Sequence, residues 1–150
     1  MPDFLETTID KFIFKVATDR LYGPAGIWVL EDAGAGHVRL GVTDYQQQLN
    51  GDVAFVHLKP TGTSLNLGDE FAEVETIKAT VSFQSPVAGK VVEINEALDL
   101  APETVNQAPY GQGWLMVIET TDWQADRARL LAADAYLSAM RSQAEEELKK

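Results

Sequence analysis

The sequence predicts a mainly β protein with short helices, closed by a C-terminal helix, and three observations carry that reading. Short runs rich in β-branched and aromatic residues recur between Gly, Pro, Asn and Asp punctuation. Ala79, Val81 and Phe83 alternate with Thr80, Ser82 and Gln84, the period of a strand with one buried face. From Asp122 onward there is no Gly or Pro, and Ala133, Leu137, Met140, Ala144 and Leu148 recur at helical spacing. The 150 residues suit one domain. Its core is expected over about 12–140, and the acidic end at about 141–150, with Glu145, Glu146 and Glu147, is expected to be a solvated, frayed tail.

The elements follow in order. Phe12–Val16 reads as a strand, and Tyr22–Gly26 as a turn or loop. Ile27–Leu30 and His37–Val42 flank Ala33–Gly36, which suggests a hairpin around a Gly-rich turn. Thr43 or Asp44 caps a short helix that Asn50–Gly51 ends. Asp52–Leu58 reads as a strand. Phe71–Thr76 and Ala79–Ser85 read as two strands joined by a tight turn at Ile77–Lys78. Pro86 ends that hairpin, and Gly89 marks a turn before the strand Lys90–Ile94. Trp114–Ile118 is the last strand, and Asp122 is the expected N-cap of the terminal helix.

Composition narrows the function. A net charge of -11 makes nucleic acid and anionic membrane surfaces poor partners and favours docking faces that are basic. It also suits a soluble monomer. The absence of Cys excludes disulfides, thiolate metal sites and a Cys nucleophile, and fits a cytoplasmic protein. No apolar run approaches the roughly 20 residues of a membrane span, and Met1–Glu6 lacks the features of a signal peptide. The histidines, His37 and His57, both fall in expected strands. There is no HExxH, nucleophile elbow or phosphate loop. No catalytic set and no metal site is expected.

The unusual segment is Val74–Ala79. Tight turns are usually built from Gly, Asn or Asp, yet here Ile77 and Lys78 occupy the tip. An exposed Ile beside a Lys could be a recognition handle for a modifying enzyme; on the local residues alone an ordinary hairpin with an exposed Lys is the better reading.

The wider context decides between these. Gly41–Tyr45, Gly51–Val56, Gly68–Phe71, Glu75–Ala79, Ser85–Gly89, Val92–Asn95 and Pro109–Leu115 together, in this order, resemble the glycine-cleavage H-protein family; Ala133–Tyr136 also looks familial. The resemblance implies a lipoyl/biotinyl-type β-sandwich, or flattened barrel, and a non-catalytic carrier. In that family the Lys of Glu-x-x-Lys-Ala holds lipoate in amide linkage. Lys78 matches it, Glu75 is the upstream carboxylate, and Gly68 and Gly89 are the turns that shape the hairpin. A biotinyl lysine lies between two methionines, whereas Lys78 lies between Ile77 and Ala79. The implied partners are lipoate-protein ligase or lipoyl-assembly enzymes, a dihydrolipoamide dehydrogenase-like enzyme, and the enzymes that exchange cargo.

The cargo is a separate question. H-proteins of glycine cleavage have Ser-His-Glu-Trp where this chain has Ala25–Trp28, so the family's cargo-facing Glu falls on Ile27. A family Asp after the lysine falls near Ser82. An ammonium leaving water needs an anionic or acceptor-rich partner. The stretch from Ala17 to Trp28 resembles a branch of H-protein-like lipoate-binding proteins that accompany the heterodisulfide-reductase-like complex of bacterial sulfur oxidation. The expectation is therefore a carrier of sulfur-bearing intermediates. The alternatives are an H protein carrying the aminomethyl group, and an unmodified binding module that keeps the fold.

Overall fold

The computed structural model of the chain describes residues 3–23, 25–32 and 36–148. Phe4–Ile9 (β1) and Phe12–Ala17 (β2) form an antiparallel hairpin. Its turn holds Asp10 at φ +58, a left-handed position that Asp tolerates better than most residues because its short side chain bonds locally. In β1, Thr7 and Ile9 are buried while Glu6 and Thr8 are exposed, so the packed body begins well before residue 12.

Leu21–Gly23 (β3), Ile27–Glu31 (β4) and His37–Val42 (β5) run antiparallel in sequence. Tyr22 and Gly23 are thus in a strand and not in a loop; Tyr22 also exchanges backbone hydrogen bonds with Leu131. Of the expected Gly-rich turn, Ala33, Gly34 and Ala35 lie outside the described residues, as does Pro24. Asp44–Asn50 forms helix α1. The Thr43 side chain accepts the Gln46 N–H, and Gly51 closes the end at φ +87, as the sequence suggested.

Val53–Leu58 (β6), Glu70–Thr76 (β8) and Thr80–Gln84 (β9) make a three-stranded sheet, with the short Ser64–Leu65 (β7) between them in the chain. Gly89–Ile94 (β10) and Met116–Thr120 (β11) join β7 and β3–β5 in a six-stranded sheet ordered β3-β4-β5-β11-β10-β7. The last strand therefore starts at Met116, two residues later than Trp114. Between β10 and β11 lie a 3₁₀ turn, Glu96–Asp99, and a short helix, Thr104–Gln107 (α2).

The six- and three-stranded sheets share one core, with Leu40, Met116 and Ile118 on one side and Phe71, Val74 and Phe83 on the other. This is the expected sandwich, but the strands stay in separate sheets and do not close into a barrel. A second apolar cluster joins Ile9, Phe14 and Val16 of the hairpin to Tyr22, Trp28, Tyr45, Tyr136 and Met140.

The C-terminal helix is broken. Asp122 caps Trp123–Arg127 (α3), and a separate helix, Ala133–Leu148 (α4), follows. At the break, buried Asp126 accepts the N–H of Ala88, just before β10, at 2.9 Å and pairs with Arg129 at 3.0 Å, and Leu131 bridges to Tyr22 of β3. In α4 the buried residues are Ala133, Tyr136, Met140 and Ala144. Leu148 is exposed, and Glu145–Glu147 are helical instead of frayed.

Candidate functional site

The hairpin β8–β9 projects Lys78 at its tip. Pairing of Glu75 with Thr80 and Val74 with Val81 brings the two strands together, and Phe71, Val74 and Phe83 root them in the core. The turn lacks Gly, Asn and Asp because Thr76 does their work. Its N–H donates to the Ala79 carbonyl at 2.8 Å, and its hydroxyl oxygen accepts the N–H groups of Lys78 (3.2 Å) and Ala79 (3.1 Å). A Thr hydroxyl can thus replace a backbone partner in a tight turn. Ile77 is 76% exposed, as expected from its place beside the lysine, and its N–H donates to Asp52.

The Lys78 stem lies along α1. Its Cε is among the nearest atoms to Gly51, and its Nζ donates to the Leu49 carbonyl at 3.5 Å. Asn106 holds that end of α1 in place: its amide nitrogen donates to Gly51 and to Gln47, and its oxygen accepts the Val53 N–H at 2.9 Å. A cleft of about 210 Å³ opens beside the lysine, lined by Phe12, Phe14, Tyr45, Leu49 and Leu148 among others. Tyr45 is buried, and burial together with the Glu147 charge pushes its hydroxyl above the usual range.

Glu75 sits on the outer face of the same hairpin, where its Oε1 lies 3.4 Å from His57 Nε2. With Glu73, paired opposite His57, these groups form an open polar ladder. Gly68 is a turn residue at φ +86, and its N–H donates to Ser85 at 2.9 Å, closing the base of the hairpin. Gly89 is not a turn residue. It is the first residue of β10, paired with Leu65 and Thr120, and a Cβ there would collide with the Glu119 carbonyl. A close approach and a turn leave the same mark in sequence, a lone Gly. Of the four expected site residues, Lys78 and Glu75 thus share the tip, while Gly68 and Gly89 lie toward the far end.

Ile27 and Ser82 do not meet. Ile27 is 1% exposed, in the core opposite Val42. Ser82 is exposed on the outer face, directly across from Glu73. Thr76, Tyr45 and Asn106 went unnoticed in the sequence. Only the alternation around Thr76 and the cap before Tyr45 carried any signal.

The family model described as Glycine cleavage H-protein matches residues 20–143. The chain belongs to the glycine cleavage H-protein family. It is 40% identical over 121 residues to the glycine cleavage system H protein of Cronobacter sakazakii, covering 81% of this chain and 92% of that one. It is 41% identical over 118 residues to that of Oceanobacillus iheyensis, covering 79% and 91%. The crystal structure of a glycine cleavage system H protein from Mycobacterium marinum superposes with a TM-score of 0.70 at 30% identity, covering 81% of this chain and 95% of that one. H-proteins are non-catalytic carrier subunits that hold lipoate covalently on a lysine, so this chain is a lipoyl carrier and not an enzyme. The tip fits that group: it offers an exposed primary amine on a braced turn, beside an apolar cleft. No helix among the described residues is long and apolar enough to cross a membrane.

Proposed function

We propose that Lys78 carries the lipoyl group and that the chain serves a cytoplasmic glycine cleavage system, moving an aminomethyl cargo between its enzymes. One observation carries the reading: inside the segment matched to the H-protein family, Lys78 stands at the tip of a turn that Thr76 braces, with exposed Ile77 beside it. A long arm on a rigid tip raises the local concentration of its cargo at each docked enzyme. The lipoyl group supplies the thiol–disulfide chemistry; the protein supplies position. The net charge of -11 favours partners with basic docking faces. Those partners would be a lipoate ligase or lipoyl-assembly enzymes, a dihydrolipoamide dehydrogenase-like enzyme and the other glycine cleavage enzymes.

A sulfur-bearing cargo exchanged with heterodisulfide-reductase-like enzymes is the second reading, favoured by the lack of a carboxylate at Ile27 and Ser82. The similarity to H proteins of glycine cleavage outweighs it.

Intact mass and peptide mapping after treatment with a lipoate ligase test the site. A single lipoyl increment on Lys78, absent from Lys78→Arg, is expected. Modification at Lys59 or Lys90 overturns the assignment, and an unchanged mass with a competent ligase returns the chain to an unmodified binding module.

A further inference from the structure

Glu73 and Glu75 converge on His57 on the outer face of the lysine hairpin, and no basic side chain answers them. Residues two apart on a strand share a face, so the two carboxylates of β8 point the same way. His57 of β6 stands opposite Glu73 in the register, and its Nε2 lies 3.4 Å from Glu75 Oε1. One ligand atom from each of the three residues lies within 4.8 Å of the other two. Phe55, paired with Glu75, stacks beside the imidazole with 19° between the ring planes. Among the described residues, neither Glu73 nor Glu75 pairs with a Lys or Arg.

Two like charges held side by side repel each other. A divalent cation between them removes the repulsion, and the imidazole decides which kind of cation. Magnesium and calcium prefer oxygen ligands alone, whereas an imidazole nitrogen suits zinc and its transition-metal neighbours. Zinc holds nitrogen and oxygen ligands at about 2.0–2.2 Å in a tetrahedron, whose edges are then about 3.3–3.6 Å. The 3.4 Å from His57 to Glu75 is already such an edge. A change of rotamer brings the Glu73 carboxylate to the same centre. Three protein ligands leave one position for water, which reaches the site because His57 and Glu75 are both partly exposed. Sequence spacing conceals the set, since only the pairing of β6 with β8 brings His57 to the two Glu residues.

We propose that His57, Glu73 and Glu75 bind a divalent transition-metal cation, zinc fitting best, with the fourth position open to water. The ion ties β6 to β8 on the hairpin that presents Lys78. The site does not depend on a lipoyl group at Lys78.

The test titrates the full chain with zinc chloride by calorimetry, with any lipoyl arm oxidised to the disulfide so that no thiol competes. One zinc ion per chain is expected, and excess magnesium should not displace it. Groups that merely orient a metal ligand are worth about 10–100-fold in affinity, so His57→Ala and Glu73→Gln should each weaken binding by about tenfold or more. Both positions are on the surface, and both variants leave Glu75 and Lys78 in place. His37→Ala is the control, because His37 faces a single carboxylate, Glu119, and it should bind zinc as the unaltered chain does. Zinc should raise the Tm of the unaltered chain and leave that of His57→Ala where it is. Cobalt in place of zinc should show the strong visible absorption of a four-coordinate ion. Absence of binding, ready displacement by magnesium, or uptake undiminished in His57→Ala and Glu73→Gln would overturn the site. Lys78→Arg should bind zinc normally, so a failure of lipoylation would overturn the carrier reading at Lys78 and leave the metal site standing.

Discussion

Thr76 and Ala79 bind each other across the β8–β9 turn from both directions. The Thr76 N–H donates to the Ala79 carbonyl at 2.8 Å, and the Ala79 N–H returns to the Thr76 hydroxyl at 3.1 Å. Lys78 is held between them. Thr76→Val keeps the β-branched shape and removes the acceptor, which leaves two amides at the tip to be satisfied by water. We expect a loss of about 1 kcal/mol in denaturant unfolding and slower ligase-dependent mass gain at Lys78. Thr76→Ser should restore both. A Thr76→Val protein modified at the unaltered rate would show that the turn does not present the lysine.

What was legible in the sequence was local. The α1 cap at Thr43, the Gly51 stop and the strand His37–Val42 are each read from neighbours in the chain, and the structure agrees with them. What was not legible depends on distant partners. The two-residue β7 exists only because Leu65 pairs with Gly89. The gap between α3 and α4 has no Gly or Pro to announce it; it lies where Leu131 bridges to Tyr22 and Asp126 reaches Ala88, 38 residues away. Lys78 stood out through the ordered motifs around it, whereas the cleft that faces it joins Phe14, Tyr45 and Leu148 from three separate elements.

Gly68 and Gly89 should respond differently to Ala. At Gly68 the surroundings are open and the backbone is at φ +86, so the cost is that of the left-handed conformation, about 1–2 kcal/mol. At Gly89 the methyl group meets a strand carbonyl and Ile118, and overpacking there should cost about 3 kcal/mol. Urea midpoints of the two variants check the order; a milder effect at Gly89 would mean that β10 and β11 can separate at little cost.

Phe83 is buried opposite Ala72, at the root of the lysine hairpin. Phe83→Ala should cost about 3–5 kcal/mol. Chemical denaturation measures it directly, and a near-neutral result would be incompatible with the β8–β9 register described above.

The buried tyrosines predict alkaline sensitivity. Burial pushes the Tyr136 hydroxyl up to about 12, opposed by its hydrogen bond with Thr43 at 3.0 Å. Burial raises Tyr22 and Tyr110 further. Each folded value lies above the unfolded one near 10, so the folded state holds its phenolic protons longer. The stabilisation is complete below about pH 10 and is lost as pH rises through the folded values, by at most about 1.4 kcal/mol per pH unit per tyrosine. Unfolding midpoints between about pH 10 and about pH 12 should fall, and Tyr136→Phe should flatten part of that slope. A pH-independent midpoint in this range would contradict the burial of these hydroxyls.

The cargo can be tested through the two positions that lack acids, because the structure separates them. Ile27 is in the core between strands, so Ile27→Glu would bury an unpaired carboxylate. It should cost about 3 kcal/mol or more, and it is not a usable rescue. Ser82 is exposed, so Ser82→Asp should fold, losing about 0.5 kcal/mol to the like charge of Glu73 across the pair. Glu73 already gives that face a carboxylate directly across from Ser82. The lipoylated, unaltered chain should therefore support glycine-dependent decarboxylation with glycine cleavage partners, and Ser82→Asp should change the rate little. If the fully lipoylated protein is inert and Ser82→Asp restores turnover, the missing acid is the cause. If both are inert while Lys78 carries its increment, an aminomethyl cargo is ruled out with those partners and the sulfur-bearing cargo becomes the better reading.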